Sequence, residues 1–184
     1  MHSPSTDLAA ARSIRMFRVS QVNGAALESD AMTNLLMVCM GNICRSPMAQ
    51  TVAEQMTAAA MLSQQLKFDS AGTHTHRLGE RPDPRVEVTL SRRGYKLGRI
   101  RSRKITPHDF QHFDLILAMD AHNLAELRRL CPPNHLGKLR LFLTYAEGVN
   151  ETEVPDPYYG DVAGFERVLD LCEAAARGLI KNWT

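Results

Sequence analysis

The chain has 184 residues, of which 44% are hydrophobic and 23% charged. These proportions suit a globular protein of one domain and exclude a wholly disordered chain, a collagen-like chain and a bare coiled coil. The 22 basic and 20 acidic side chains leave a net charge of +2, too weak a field to imply nucleic acid or a membrane surface as partner.

Residues 1–31 show no clean hydrophobic period and no apolar core of a secretory signal. Arg12, Arg15 and Arg18 there balance Asp7, Glu28 and Asp30. They read as an N-terminal extension, either a disordered tail or a start codon assigned too early, with Met32 as the later start. From Asn34 the pattern is legible. Leu35–Cys39 is a continuous apolar run, as a buried parallel strand requires. After a short loop, Ser46-Pro47 marks a helix start, with Ser near the N-cap and Pro in the first turn. Met48, Val52 and Met56 continue one face of that helix. Leu66–Ser70, running into Ala71-Gly72, reads as a second strand, and Pro84–Arg93 as a helix closed by Gly94. Phe113–Met119 is a third strand, Asn123–Leu130 a helix stopped before Pro132-Pro133, and Lys138–Leu143 a fourth strand. Val162, Phe165, Val168, Leu169, Cys172, Ala175, Ala176 and Leu179 mark a last amphipathic helix. Strands alternating with helices predict an α/β domain over residues 32–184: a doubly wound, four-stranded parallel sheet flanked by helices, with a phosphate-binding loop after the first strand.

The longest apolar run, Leu35–Met40, falls far short of the ~20 residues of a membrane span. Cys39, Cys44, Cys131 and Cys172 are too few for a disulfide scaffold and include no C-x-x-C pair. A reducing compartment, the cytoplasm, is the expectation. His74-x-His76 and His108-x3-His112 have ligand spacing but lack third and fourth partners, so no metal is expected. The basic stretch Arg99–Lys104 reads as a solvated face.

The informative segment is Val38-Cys39-Met40-Gly41-Asn42-Ile43-Cys44-Arg45-Ser46-Pro47. It lies past the carboxyl end of a strand and at a helix N-terminus, where backbone N–H groups and the helix dipole favour an anion. No Gly-Lys-Ser/Thr follows, so it is not a nucleotide P-loop. Cys39 and Arg45 bracket the loop as C-x5-R. Five intervening residues let the chain wrap a tetrahedral oxyanion, with the sulfur below and the guanidinium closing the rim. The same donors stabilise a thiolate at Cys39, a nucleophile aimed at a bound phosphate. Taken alone, Cys39 is equally a buried strand residue. Gly41, Asn42, Arg45, Ser46 and Pro47 together decide for the anion loop. Gly41 and Asn42 both tolerate left-handed backbone, as a tight cradle requires. Ester cleavage also needs a proton donor. Asp156, between Pro155 and Pro157, is either that acid or a plain turn residue. Asp120 follows a strand and is placed to cap the next helix.

The loop closely resembles the active-site signature of low-molecular-weight protein tyrosine phosphatases. Ser70-Ala71-Gly72-Thr73, Pro82-Asp83-Pro84-Arg85, Phe113–Asp120 and Val154–Gly160 are also similar to family segments, in family order. The resemblance implies hydrolysis of phosphotyrosine in proteins, and of small aryl phosphates, through a phosphocysteine intermediate without a cofactor. It assigns Cys39 as nucleophile, Arg45 as phosphate clamp and Asp156 as general acid. Met40, Gly41, Asn42, Ile43, Cys44, Arg45 and Ser46 then bind phosphate. Asn42, Ser46 and Ser70 brace the loop, with Ile100 where the family often has a fourth, histidine member. Met40, Ile43, His76, Tyr158 and Tyr159 match the substrate wall. Cys44 matches a cysteine that forms a reversible disulfide with the nucleophile. The implied partner is a tyrosine-phosphorylated protein. Three rival readings remain. Arsenate reductase shares the loop but needs two further neighbouring cysteines, and Cys131 and Cys172 read as helix-packing residues. Protein-arginine phosphatase carries Thr where this chain has Ile43. A non-catalytic phosphate-binding module would be expected to lack Cys39 or Asp156.

Overall fold

The apolar run at Leu35 forms the first strand, β1 (Thr33–Cys39), in a computed structural model that describes residues 32–74 and 76–183. The expectations for residues 1–31 lie outside the described residues. The other strands are β2 (Leu66–Gly72), β3 (Leu115–Ala118) and β4 (Leu139–Leu141). All pairings are parallel and the strand order is β2-β1-β3-β4. The expected parallel α/β sheet is therefore present, with β1 inside it.

Side chains alternate across β1. Leu35, Met37 and Cys39 face a core built with α1 (Arg45–Ala59) and α5 (Val162–Lys181), where Met48, Val52, Val168, Leu169 and Cys172 are buried. Leu36 and Val38 face the opposite side, packing with Phe110 of α3 (Pro107–His112) and with Leu124 and Leu127 of α4 (Ala121–Leu130). Helices on both faces explain why Leu35–Val38 is unbroken by any polar residue. The remaining helix, α2 (Pro84–Arg92), is capped by Asp83 and followed by Gly94 at φ +82°. No helix among the described residues is long and apolar enough to cross a membrane.

Two expected strands need correction, and one helix was missed. β3 is shorter than Phe113–Met119, because Phe113 ends α3 and Met119 already pairs outside the strand, donating to the Val38 carbonyl. β4 is shorter than Lys138–Leu143, because the chain turns into a 3₁₀ helix over Phe142–Tyr145. Helix α3 was not foreseen. It starts at Thr106, where the Asp109 carboxylate accepts from the Thr106 backbone N–H and hydroxyl.

Gly178 in α5 is packed against the Tyr145 carbonyl. A Cβ there would stand 1.8 Å from that oxygen. In an open helix interior Gly→Ala stabilises by about 1 kcal/mol. Here the sign reverses: Gly178→Ala is expected to cost about 1–3 kcal/mol through forced backbone displacement. Urea unfolding checks this, and a variant as stable as the parent would show that the helix accommodates a methyl group there without cost.

Candidate active site

The loop expected to bind phosphate joins the carboxyl end of β1 to the amino end of α1. Cys39 is the last residue of β1, and its side chain points toward the larger core at only 2% exposure. The segment after β2 straps the loop from behind: Thr73 N–H donates to the Cys39 carbonyl and His74 N–H to the Met40 carbonyl, both at 2.9 Å. Such a close approach needs Gly72, since a Cβ there would lie 2.7 Å from the Met40 oxygen. Asn42 takes the left-handed turn at φ +54°. Gly41 does not share that conformation, contrary to expectation. The Ser102 hydroxyl holds the Gly41 carbonyl at 3.1 Å.

Ser46 is not an N-cap. Cys44 occupies that position and makes no capping hydrogen bond. Ser46 lies inside the first turn with its hydroxyl 3.0 Å from Cys39 Sγ. The Asn42 backbone N–H points at the same sulfur from 3.2 Å. Asn42 and Ser46 are fully buried behind the loop, with the Asn42 amide 3.0 Å from Ser46 and 2.9 Å from Ser70. The structure thus brings Asn42, Ser46 and Ser70 together as a hydrogen-bonded group.

Arg45 is buried and triply engaged. Its Nη1 donates to Asp120 Oδ2 at 2.5 Å and to the Val154 carbonyl at 3.2 Å, and its Nη2 to Asp156 Oδ2 at 2.8 Å. Burial alone would lower the Arg45 pKa, but Cys39, Asp120 and Asp156 outweigh it and the net shift is upward. Asp120 caps α4 as expected, accepting from Asn123 N–H at 2.6 Å. Its bond to Arg45 was not foreseen. Asp156 stands at the rim, its side chain 46% exposed, and accepts from Tyr158 N–H.

These groups surround a cavity of about 220 Å³. Cys39, Met40, Gly41, Ile43, Cys44 and Arg45 line it from the loop side, and Asp156, Tyr158 and Tyr159 from the opposite loop. His76 lines it too, as do His74, which the sequence offered only as a metal-spacing candidate, and Arg77, which it did not single out. Arg77 donates to the Tyr158 hydroxyl. The Tyr158 and Tyr159 rings meet edge to face at 4.9 Å, and Tyr159 is almost wholly exposed. Burial, with the nearby Asp83 charge next in weight, pushes the Cys44 thiol up to about 12, so Cys44 is a neutral neighbour in the same cavity.

The Pro82–Arg85 segment ties both sides of the cavity. Asp83 N–H donates to the Ile43 carbonyl of the loop at 2.8 Å. The Asp83 carboxylate grips Arg85 through two oxygens, and Arg85 Nη2 donates to the Tyr158 carbonyl. This fork geometry suits Arg and would be lost with Lys.

Comparison with known proteins points to one family. The family model described as Low molecular weight phosphotyrosine protein phosphatase matches residues 34–183. A low molecular weight protein-tyrosine-phosphatase of Streptomyces coelicolor is 43% identical over 146 residues, covering 78% of this chain and 88% of that protein. The low molecular weight phosphotyrosine protein phosphatase of Homo sapiens is 33% identical, covering 85% and 99%. The crystal structure of a protein tyrosine phosphatase from Entamoeba histolytica superposes with a TM-score of 0.80 at 39% identity, covering 82% and 96%. With the family model matching nearly the whole described chain and relatives of 33–43% identity covered over most of their length, this chain belongs to the low molecular weight phosphotyrosine protein phosphatase family.

Proposed function

We propose that the chain hydrolyses phosphotyrosine in proteins through a phosphocysteine formed on Cys39. The observation that carries this reading is the convergence of Cys39, Arg45 and Asp156 on one cavity. Two donors, the Ser46 hydroxyl and the Asn42 N–H, reach Cys39 Sγ and support a thiolate. The thiolate attacks phosphorus and the bond to the tyrosine oxygen breaks. Asp156 gives its proton to that oxygen, so the leaving group departs neutral. Water then attacks the phosphocysteine, Asp156 takes its proton, and the thiolate leaves inorganic phosphate behind. Arg45 stabilises the charge on the phosphoryl oxygens throughout. Phosphate competes with Asp156 for Arg45 Nη2, which links substrate entry to release of the acid.

Met40, Ile43, His76, Tyr158 and Tyr159 form the wall that receives the tyrosine ring. Tyr158 is held by Arg77 at its hydroxyl and by Arg85 at its carbonyl, which fixes one side of the entrance. The Entamoeba protein was crystallised with Hepes, a sulfonate buffer, in its active site, and a tetrahedral anion fits the loop chemistry here. A relay of the arsenate-reductase kind is disfavoured, because Cys131 and Cys172 lie in cores on opposite faces of the sheet. Four free cysteines suit a reducing compartment, and we assign the protein to the cytoplasm.

Cys39→Ser is expected to lower kcat for an aryl phosphate by ~10³-fold or more. Asp156→Asn is expected to lower it by roughly 10²–10⁴-fold for phenyl phosphate, and by less for p-nitrophenyl phosphate, whose phenolate leaves without a proton. Steady-state rates with both esters check this, and equal losses on the two would sink the acid assignment. Purified protein offered phosphotyrosine peptide, phosphoarginine and arsenate should turn over the first far faster. Preferential turnover of either rival would replace the phosphotyrosine reading. A chain starting at Met32 should keep full kcat, and an inactive truncation would assign residues 1–31 a structural part.

A further inference from the structure

Gln50, on α1, is buried directly behind the loop. Its Oε1 lies 2.7 Å from the Ser70 hydroxyl and its Nε2 lies 2.9 Å from Glu54 Oε1. Ser70, Asn42, Ser46 and Cys39 continue this line inward, with links of 2.9, 3.0 and 3.0 Å.

The direction of every proton along this chain follows from its ends. At one side, the Arg103 backbone N–H, which can only donate, meets Asn42 Oδ1 at 2.9 Å. The Asn42 NH2 group must therefore face the two hydroxyls and donate to both. A serine has one proton to give. Ser46 receives from Asn42, so its own proton is left for Cys39 Sγ, the Ala71 carbonyl at 3.4 Å being the poorer acceptor. Ser70 also receives from Asn42, so its proton needs an acceptor elsewhere, and Gln50 Oε1 is that acceptor. The Glu54 carboxylate accepts from Gln50 Nε2, which turns Oε1 inward. Ile100 carries no polar side-chain atom and cannot serve this purpose, whereas Gln50 does.

We propose that Gln50 is a positioning residue for the Cys39 thiolate, acting through Ser70 and Asn42 to keep the Ser46 proton on the sulfur. The proposal rests on the reading of Cys39 as nucleophile. Without the Gln50 acceptor, the buried Ser70 proton is unsatisfied, a costly state that a rotation of Ser70 and Asn42 relieves. That rotation releases Ser46 from its fixed direction and takes a donor from the sulfur. The thiolate then loses support, and a higher pH is needed to form it.

The test compares Gln50→Met, which fills the space without an acceptor, with Gln50→Glu, which keeps one. The readouts are the pH of half-maximal Cys39 alkylation by iodoacetamide, followed by peptide mass spectrometry, together with kcat and KM for an aryl phosphate and the thermal midpoint. Gln50→Met is expected to raise the alkylation midpoint by about one pH unit and to lower kcat about tenfold, with KM changed less than about threefold. Gln50→Glu is expected to return kcat to within about threefold of the parent. An alkylation midpoint unmoved by Gln50→Met overturns the proposal, whatever happens to the thermal midpoint. So does a Gln50→Glu protein as impaired as Gln50→Met. Alkylation reads the thiol without turnover, so a parent chain that alkylates normally but cleaves no phosphate ester counts against the phosphatase reading and not against this one.

Discussion

A buried guanidinium holds the site together. Arg45 leaves water almost entirely, a transfer that costs several kcal/mol unless the charge is paired and fully hydrogen-bonded. The partners come from distant stretches of chain: Asp120 at the end of β3, and Val154 and Asp156 in the loop before α5. Two distant segments therefore meet the Arg45 loop by satisfying one charge. Asp120 serves twice, since its other oxygen caps α4. This couples the orientation of Arg45 to the placement of a whole helix.

A second tie runs through Asp83 and Arg85. Ile43, in the loop after β1, and Tyr158, two residues past Asp156, have no covalent reason to keep a fixed separation. The Asp83 N–H and the Arg85 fork set it, with the Arg85 guanidinium also stacked 4.5 Å from the Phe165 ring of α5. The cavity is shaped from both sides by polar links whose ends sit on the regular elements α2 and α5. A site mounted this way keeps its geometry better than one carried on unsupported loops.

Much of this was legible in the sequence where local chemistry decides the outcome. The unbroken run at Leu35–Cys39 reads as a strand covered on both faces, and it is one. Cys39 and Arg45 bracket a loop whose composition allows little else. At Ser46 the helix-start rule and the family resemblance give different parts to one hydroxyl. A serine beside proline at a helix start is a good cap by rule, yet its hydroxyl is claimed by a sulfur seven residues earlier. Helix α3 had a usable signal, Thr106-Pro107-His108-Asp109, with a capping residue, proline in the first turn and an acid three residues on. Other features left no local trace. Gln50 looks like an ordinary polar residue on a helix, Gly178 like a weak point in one, and Arg77 like a surface charge. Each acquires its meaning from a neighbour far away in the chain.

The separation of these partners also has a consequence in time. Arg45 and Asp156 are 111 residues apart. At a synthesis rate of about 5–20 residues per second, the ribosome delivers Asp156 roughly 6–22 s after Arg45. During that interval β1, α1 and β2 can pair, yet Arg45 has neither carboxylate in place until Asp120 and then Asp156 arrive. The growing chain therefore carries Cys39 and Arg45 well before it carries the carboxylates that fix the guanidinium in place.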